Sequence, residues 1–227
     1  MFKIFFFLIL FATNFRGFSQ KFVTISGKIT GIQNSTIYLS NKSFSFGHKY
    51  ILFDSVLSKD GTFQFTDFKF RETDFYSIQS KGSSEWLPFL IDTGHIYIVA
   101  NKGFLSLGKV IGSAENDLFR SYSKNIIGPY FTENRLDFDS VNKYRGLDSS
   151  LFIYYSNLLK KVEAKLLLNQ EKFIEQHPTS YVSLIILNEI QSQIPIETLV
   201  FYFKQMSSEL QHHSKAIELR KRVQQFL

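Results

Sequence analysis

The chain has 227 residues, no cysteine and a formal net charge of +6 at pH 7. This length suits one large domain or two small ones, and the missing thiol excludes disulfides, thiol redox catalysis, cysteine hydrolases and Cys-ligated metal. Aromatic residues make up 17% of the chain, and because aromatic side chains suit half-buried pleated surfaces, their excess favours a core built on β-sheets.

The first twenty residues have the pattern of a secretory signal peptide. A basic start at Lys3 precedes an apolar run from Ile4 to Ala12 and a small, polar exit from Gly17 to Gln20. An uncleaved membrane anchor is the alternative, but the apolar run is far shorter than the roughly 20 residues that span a bilayer. We therefore predict cleavage near Ser19–Lys21 and a periplasmic or secreted mature chain without a transmembrane segment.

From Lys21 to Gly112 apolar and polar residues alternate, which predicts an antiparallel β-sandwich domain over residues 21–112. The predicted strands lie at Phe22–Ser26, Thr36–Leu39, Tyr50–Phe53, Ser55–Leu57, Thr62–Phe65, Asp74–Ile78, Trp86–Ile91, His95–Val99, Phe104–Leu107 and Val110–Ile111. Turn residues after Gly31 predict that the first two strands pair as a hairpin, and Asp60-Gly61 predicts a second tight hairpin. Asp92-Thr93-Gly94 predicts another tight turn. Pro88 cannot donate to a ladder, so its strand is expected at an edge or with a bulge.

After Gly112 the apolar period becomes helical, which predicts a helical region over residues 113–227 and an α+β fold class. The predicted helices are Ala114–Asn125, Asp148–Leu168, Gln170–Gln176, Ser180–Ile190, Pro195–Met206 and Ser214–Phe226. Ser113, Thr179 and Ser214 are the expected N-caps. Residues 126–146 contain Gly128-Pro129 and are predicted to form a loop with at most one helical turn. The helix at 180–190 is apolar on most sides and is expected to be the most buried.

Several short segments occur in an order that resembles a known family. They are Gly27–Gly31, Ile37–Leu39, Asp54–Val56, Asp60–Phe65, Phe89–Gly94, Ile111–Asn116 and Phe173–Leu184. Together they resemble the domain of unknown function, β-rich with a helical linker, that precedes the thioredoxin-like domain in exported bacterial proteins of the TlpA and AhpC-TSA type. The resemblance covers about residues 21–225 and implies a β-sandwich followed by helices. In the family a thioredoxin fold with a Cys-x-x-Cys motif comes next and carries the known chemistry. That fold is absent here, so no functional residue is transferred.

Candidate metal and carboxylate sites have simpler structural explanations. His212 and His213 are adjacent, so on a helix they point about 100° apart, and neither has an Asp or Glu four residues later. An exposed polar turn is expected there.

Five aspartates stand beside Gly, Ser or Thr at predicted strand ends, where the Asp side chain supports turns. They are Asp54, Asp60, Asp67, Asp74 and Asp92. We expect them to stabilise turns instead of forming a catalytic or calcium site.

Three further motifs carry weaker functional signals. Ser55 and Ser140 each occur in Asp-Ser-Val, which resembles a short O-glycosylation signal of some bacterial envelopes, although Ser55 also fits an ordinary strand position. Lys215, Arg220, Lys221 and Arg222 fit the C-terminal end of a helix better than a nucleic-acid site. Tyr38, Tyr76, Trp86 and Tyr97 are candidates for a carbohydrate-binding face, but packing within the sheets is the stronger expectation.

These observations include no catalytic constellation, so we predict no catalytic, cofactor-binding or metal residues and no enzyme. A carboxylate hydrolase is the weakest of the remaining interpretations. The leading hypothesis is an exported, non-enzymatic binding or scaffold module that contacts another envelope protein or a small ligand, and no nucleic acid. The alternative is a non-catalytic subunit or truncated form of a periplasmic TlpA-like thiol-disulfide oxidoreductase system with a thioredoxin-like partner.

Overall fold

The computed structural model describes residues 21–41, 51–92 and 94–226. The predicted signal peptide, Tyr50 and Thr93 lie outside the described residues. The strands are β1 Lys21–Thr30, β2 Thr36–Ser40, β3 Leu52–Leu57, β4 Thr62–Phe70, β5 Asp74–Ser80, β6 Leu87–Ile91, β7 His95–Asn101 and β8 Lys109–Ile111.

The strands form two four-stranded sheets. One, which we call the outer sheet, has the order β4-β1-β7-β8, and the other, the middle sheet, has the order β3-β2-β5-β6. Strands β1 and β7 are parallel, and the other neighbouring pairs are antiparallel. Helices follow from Ala114 onward, so the predicted α+β class, with a sheet-rich first part and a helical second part, is confirmed.

A continuous apolar core lies between the two sheets. Ile25 and Ile98 enter it from the outer sheet, and Leu39, Ile78 and Phe89 enter it from the middle sheet. These side chains are fully buried, as the period-two alternation along each strand requires. Burying a side chain of this size contributes about 1.5–3 kcal/mol, so this core is the main source of stability for the sandwich.

Both hairpins predicted near the start of the chain are wrong, because the consecutive strands lie in opposite sheets. Strand β1 pairs with β4 and β7, whereas β2 pairs with β3 and β5. The tight turn before β4 does form, with positive φ at Asp60 and Gly61, but only Lys59 and Thr62 pair across it. A turn motif fixes a local chain reversal, while burial of both apolar faces decides which sheet each strand joins.

Two other strand assignments also change. Residues 52–57 form the single strand β3, although we expected a strand ending at Phe53 and a separate one beginning at Ser55. The strand predicted at Phe104–Leu107 is wrong, since Lys102–Leu107 is a 3₁₀ segment with a kink at Phe104. Its N-cap, Asn101, accepts a hydrogen bond from the Gly103 N–H. Pro88 lies on β6, an edge strand of the middle sheet, as predicted.

The helical region begins directly after β8. Its α-helices are α1 Ala114–Tyr122, α2 Gly128–Glu133, α3 Arg135–Tyr144, α4 Ser149–Gln176, α5 Tyr181–Ile190, α6 Ile196–Gln205, α7 Ser208–Gln211 and α8 Ile217–Val223. A π-helical turn, Ser123–Ile127, joins α1 to α2, and 3₁₀ turns occupy Ser214–Ala216 and Gln224–Phe226. In the described part of the chain, no helix combines the length and apolar character needed to cross a bilayer.

The loop predicted for residues 126–146 is wrong, because this segment is mostly helical. Pro129 lies in the first turn of α2, where a proline costs no helical hydrogen bond. Likewise the two helices predicted at 148–168 and 170–176 are one helix, α4, which Asp148 caps and which ends before Pro178. The predicted helix 214–226 is divided into two 3₁₀ turns and α8.

Of the three predicted helix caps, one is confirmed and two are wrong. Ser113 caps α1 as predicted, by accepting a hydrogen bond from the Asn116 N–H. The cap of α5 is Ser180 instead of Thr179, and His213 caps the turn that we expected Ser214 to begin. Seven of the ten residues of α5 are buried, which confirms it as the most buried helix.

A second apolar core lies between the helices and the far side of the middle sheet. The helices contribute Leu184 and Leu187 of α5, Leu199 of α6 and Leu219 of α8 to this core. The sheet contributes Leu90 of β6. The middle sheet is therefore covered on both sides at β5 and β6. The molecule has three layers, in the order outer sheet, middle sheet and helices.

Candidate functional site

Polar contacts fix the helices to the middle sheet. The buried Asn116 side chain acts like one residue of a neighbouring strand: Oδ1 accepts from the Leu90 N–H and Nδ2 donates to the Leu90 carbonyl, both at 2.8 Å. The Glu115 carboxylate accepts from the Ser180 hydroxyl at 2.7 Å and from the Val182 N–H at 3.2 Å. This carboxylate lies at the N-terminus of α5, where a negative charge is stabilising. The segment around Ser113–Asn116 therefore has a structural role.

A second joint connects α5 and the segment before α8 to β5. The Tyr181 hydroxyl donates to Asp74 at 3.0 Å. Burial, together with this carboxylate, raises the pKa of Tyr181 far above its ordinary value, so the hydroxyl stays protonated. His213 Nε2 lies 2.8 Å from the Thr73 carbonyl and 3.4 Å from Glu72 Oε2. His213 is only 5% exposed, so the prediction that both adjacent histidines form an exposed turn is wrong for this residue.

The five aspartates singled out in the sequence do not form one site. Asp60 and Asp67 have the positive φ angles of tight turns or bulges, while Asp54 and Asp74 each accept the N–H of the next residue. Asp92 accepts the Glu115 N–H at 3.4 Å. Within the described ranges, no group of three or more His, Asp or Glu side chains is placed to hold a metal ion.

The candidate carbohydrate-binding aromatics and the two candidate glycosylation serines lie in different parts of the molecule. Tyr76 packs against Phe53 and Phe68 at the edge of the sandwich core, and burial raises the pKa of Tyr76 to about 12. Tyr38 and Tyr97 lie on different sheets and do not share a face with it. Trp86 precedes β6. Ser55 is exposed on β3 and Ser140 is half-buried in α3.

The basic cluster lies at the end of α8, as expected. Arg220, Lys221 and Arg222 occupy its last turn. Arg220 donates to the Gln211 carbonyl at 3.1 Å, and Lys221 pairs with Glu218 at 2.9 Å. Lys215 lies 3.9 Å from Asp74. These contacts give the cluster a local structural role at a helix C-terminus.

The most unusual surface of the molecule is formed by residues 123–169, which we call the arm. It contains the π turn, α2, α3 and the first three quarters of α4, and none of its residues is buried. Helices α3 and α4 pack side by side across a short loop at 145–148. At about 1.5 Å per residue, the part of α4 in the arm is about 30 Å long.

Aromatic pairs hold the arm together. Tyr144 of α3 stacks on Tyr155 of α4, with ring centroids 5.7 Å apart and ring planes nearly parallel. Nearer the base, the Phe138 ring meets that of Tyr130 edge to face at 5.6 Å. Such pairs are each worth about 0.5–1.5 kcal/mol beyond the area they bury. The arm is thus stabilised by local contacts between its own helices.

Large apolar side chains remain exposed on the arm. Each of the following is between 50% and 80% exposed: Phe131, Leu136, Leu147, Ile153, Tyr154 and Leu168. Lys160 and Lys161 follow Ile153 and Tyr154 by seven positions, so each lysine lies two turns further along the same side of α4. The exposed side of α4 is therefore apolar towards the tip of the arm and basic towards its base.

A groove of about 280 Å³ lies at the base of the arm, between the π turn with α2 on one side and α4 on the other. Its apolar lining consists of Ile126, Pro129, Val162 and Leu166. Its polar lining consists of Asn125, Tyr130, Glu133, Asn134, Lys165 and Asn169. Burial and, to a smaller extent, the charge of Glu163 raise the pKa of Tyr130, so its hydroxyl remains neutral.

Residues 23–119 match the family model described as a domain of unknown function, DUF4369. No curated protein matches the chain. No solved structure matches it. The prediction of a domain of unknown function is confirmed for this part of the chain, while its association with thioredoxin-like proteins stays a prediction.

The DUF4369 match covers the strands and most of α1, and it ends before the arm. The arm and its groove were missed by sequence reasoning, because residues 126–146 were interpreted as a loop. One signal was available: Ile153 and Leu168 are apolar but lie outside the stripe that packs α4 against α3. Apolar residues on a second side of a surface helix indicate either a further core or a binding surface.

Proposed function

We propose that the chain is an exported, non-enzymatic binding module of the bacterial envelope, and that the arm is the surface with which it binds another protein. The observation that carries this proposal is that residues 123–169 are ordered as helices without one buried side chain. Ordering a residue costs about 1–2 kcal/mol of backbone entropy, and burial in a core normally offsets that cost. A binding role explains why the arm is present although it adds little to either core.

The exposed apolar area is large enough for a protein partner. A large apolar or aromatic side chain covers about 150–250 Å² when buried, so the six exposed side chains on the arm offer on the order of 500 Å². A stable protein interface covers about 800 Å² on each partner, and the surrounding polar rim supplies the rest. The largest apolar patch on a typical monomer is about 300–600 Å² and often has a function.

The charges on α4 indicate the chemistry of the partner. Lys160 and Lys161 are exposed, and in the described part of the chain neither forms an ion pair. A partner that places acidic groups opposite these lysines and an apolar pocket opposite Ile153 and Tyr154 would match the surface in both respects. The partner is therefore a protein with an acidic-rimmed apolar groove.

Paired leucine variants test this function. Leu136 and Leu147 of the arm, and Leu57 and Leu107 of the sandwich, are all between 72% and 80% exposed. We expect the tagged wild-type chain to capture one partner from the envelope fraction of its own cells, and the Leu136→Ser, Leu147→Ser double variant to lose it. The Leu57→Ser, Leu107→Ser double variant is the matched control and should retain the partner.

Two results would contradict the proposal. One is equal capture by both double variants, which would place the interface elsewhere. The other is turnover of a substrate by the purified chain with no partner captured, which would favour an enzyme. Export is tested separately by cell fractionation and by sequencing the mature N-terminus, which we expect near Ser19–Lys21.

The second candidate is a non-catalytic subunit of a thiol-disulfide system. It is supported by the order of motifs from Gly27 to Asn116, which resembles the module that precedes thioredoxin-like domains. In that case the captured partner would carry a Cys-x-x-Cys thioredoxin fold. A partner without that fold would leave the general binding module as the better description.

A further inference from the structure

The π turn Ser123–Ile127 forms one wall of the groove at the base of the arm. Its hydrogen bonding is that of a true π turn, since the Gly128 N–H donates to the Ser123 carbonyl five residues earlier. Such turns are rare within helices and are frequently found at functional sites. Here the turn contributes Asn125 and Ile126 to the lining of the groove.

The groove brings opposite charges to its two walls. Lys165 lies on α4 and Glu133 at the end of α2, and within the ranges described neither side chain forms an ion pair. Asn125 and Asn169 add carboxamides, each of which can donate and accept hydrogen bonds. The four apolar lining residues provide a surface for a short hydrocarbon group.

We propose that this groove binds a small zwitterion of amino-acid size, with its carboxylate against Lys165, its ammonium group against Glu133 and its side chain against the apolar lining. The volume of about 280 Å³ is slightly below the usual range for ligand pockets, which suits a ligand of amino-acid size. A ligand carrying only one charge would leave either the lysine or the glutamate without a partner. This site is separate from the exposed leucines that test the function of the arm.

The probes are L-alanine, L-leucine and L-phenylalanine, which differ in the size of the apolar group. Two further probes are 4-methylpentanoate, which is leucine without its amino group, and 3-methylbutylamine, which is leucine without its carboxylate. Binding is followed with ¹H–¹⁵N NMR through the side-chain amide signals of Asn125 and Asn169. We expect saturable shifts with at least one amino acid, and affinities at least about tenfold weaker for both single-charge probes.

Substitutions of Lys165 and Glu133 test which side chain binds each charged group of the ligand. Lys165→Met and Glu133→Gln should each weaken amino-acid binding about tenfold or more. Lys204→Met is the matched control, because Lys204 is exposed on α6 and does not line the groove, and it should leave the affinity unchanged. Helical circular dichroism of each variant shows that the arm is still folded.

The proposal is overturned if none of the three amino acids gives saturable shifts up to about 10 mM. It is also overturned if the single-charge probes bind as well as leucine, or if Lys204→Met weakens binding as much as Lys165→Met. Because neither Leu136 nor Leu147 lines the groove, loss of partner capture and loss of amino-acid binding remain distinguishable.

Discussion

Asn116 completes the edge of the middle sheet at the point where β6 has no further strand beside it. Both polar atoms of its side chain form hydrogen bonds with the Leu90 backbone within the protein interior.

Asn116→Ala would leave a buried N–H and a buried carbonyl unpaired, each at a cost of about 1–3 kcal/mol. We expect the free energy of unfolding in urea to fall by about 2–4 kcal/mol. Asn142→Ala, at an exposed position on α3, should change it by less than about 0.5 kcal/mol. Equal effects would contradict the role of Asn116.

Glu72 makes the joint between the sheet and the helices sensitive to acid. Burial alone would raise its pKa, but hydrogen bonds from Ser214 and the nearby His213 lower the pKa below its ordinary value of 4.5. A lowered pKa in the folded state means that the ionised carboxylate stabilises the fold above pH 4.5, and that this contribution is lost as the pH falls through the folded-state pKa.

We therefore expect Glu72→Gln to reduce the free energy of unfolding at pH 7 by less than about 1 kcal/mol, because the group is partly exposed to solvent. The difference from the wild type should shrink as the pH falls below 4.5. Chemical denaturation measured at several pH values checks this. A difference that grows towards acid would mean that the carboxylate does not stabilise the joint.

His213 shows what the sequence leaves open at the scale of one residue. His212 and His213 are neighbours with the same side chain, yet His212 is exposed and His213 is buried against Thr73. The two positions are distinguished by which of them faces β5, and that depends on how α7 and α8 pack on the sheet. Ser113 was predicted correctly as a cap, whereas the caps predicted at Thr179 and Ser214 were each wrong by one residue, because a local pattern locates a helix start only to within a residue or two.

At the scale of elements, the local sequence pattern predicted whether most segments form strands or helices. It did not predict which strands pair with each other. The alternation in β1 and the apolar sides of α5 identify them from sequence. That β1 pairs with β4 and β7 instead of β2 is decided by the burial of two facing sheets, which no local turn encodes. The segment 126–146 was missed because Gly128-Pro129 suits a loop and a helix start equally well.

The lack of buried residues in the arm predicts that it opens more easily than the rest of the helical region. Backbone amides of α4 within the arm, at residues 153–165, should exchange with deuterium faster than those at 173–176 and in α5. The reason is that Phe173 and Ile174 are buried in the helical core, while the earlier part of α4, which packs on α3 and the π turn, has no buried residue. Mass spectrometry after exchange measures this, and equal protection along α4 would contradict it.

The π turn gives a second prediction at this scale. Deleting the exposed Lys124 should convert the turn into regular α-helix, since a π turn corresponds to one additional residue in an α-helix. We expect the variant to keep its helical circular dichroism and its melting temperature within a few degrees. It should lose amino-acid binding in the groove. Retained binding would show that the π turn does not shape the site.

At the scale of the whole molecule, two layers of sheet and one layer of helices form a body from which the arm extends. The match to a domain of unknown function covers much of the body and none of the arm. The α+β class was predictable, since it needs only the change of apolar period after Gly112. The arm as a binding surface was not, because exposure of side chains depends on which helices lack a neighbour.

The most direct test of the binding module is site-specific photocrosslinking in the cells that make the protein. A photoreactive residue replaces Ile153 or Tyr154 on the arm in separate strains, and Tyr97 or Val99 on the exposed side of the outer sheet in matched strains. We predict a crosslink to one and the same protein from both arm positions and none from the sheet positions. Crosslinks from the sheet positions alone, or no crosslink from the arm, would contradict the role of the arm as the binding surface.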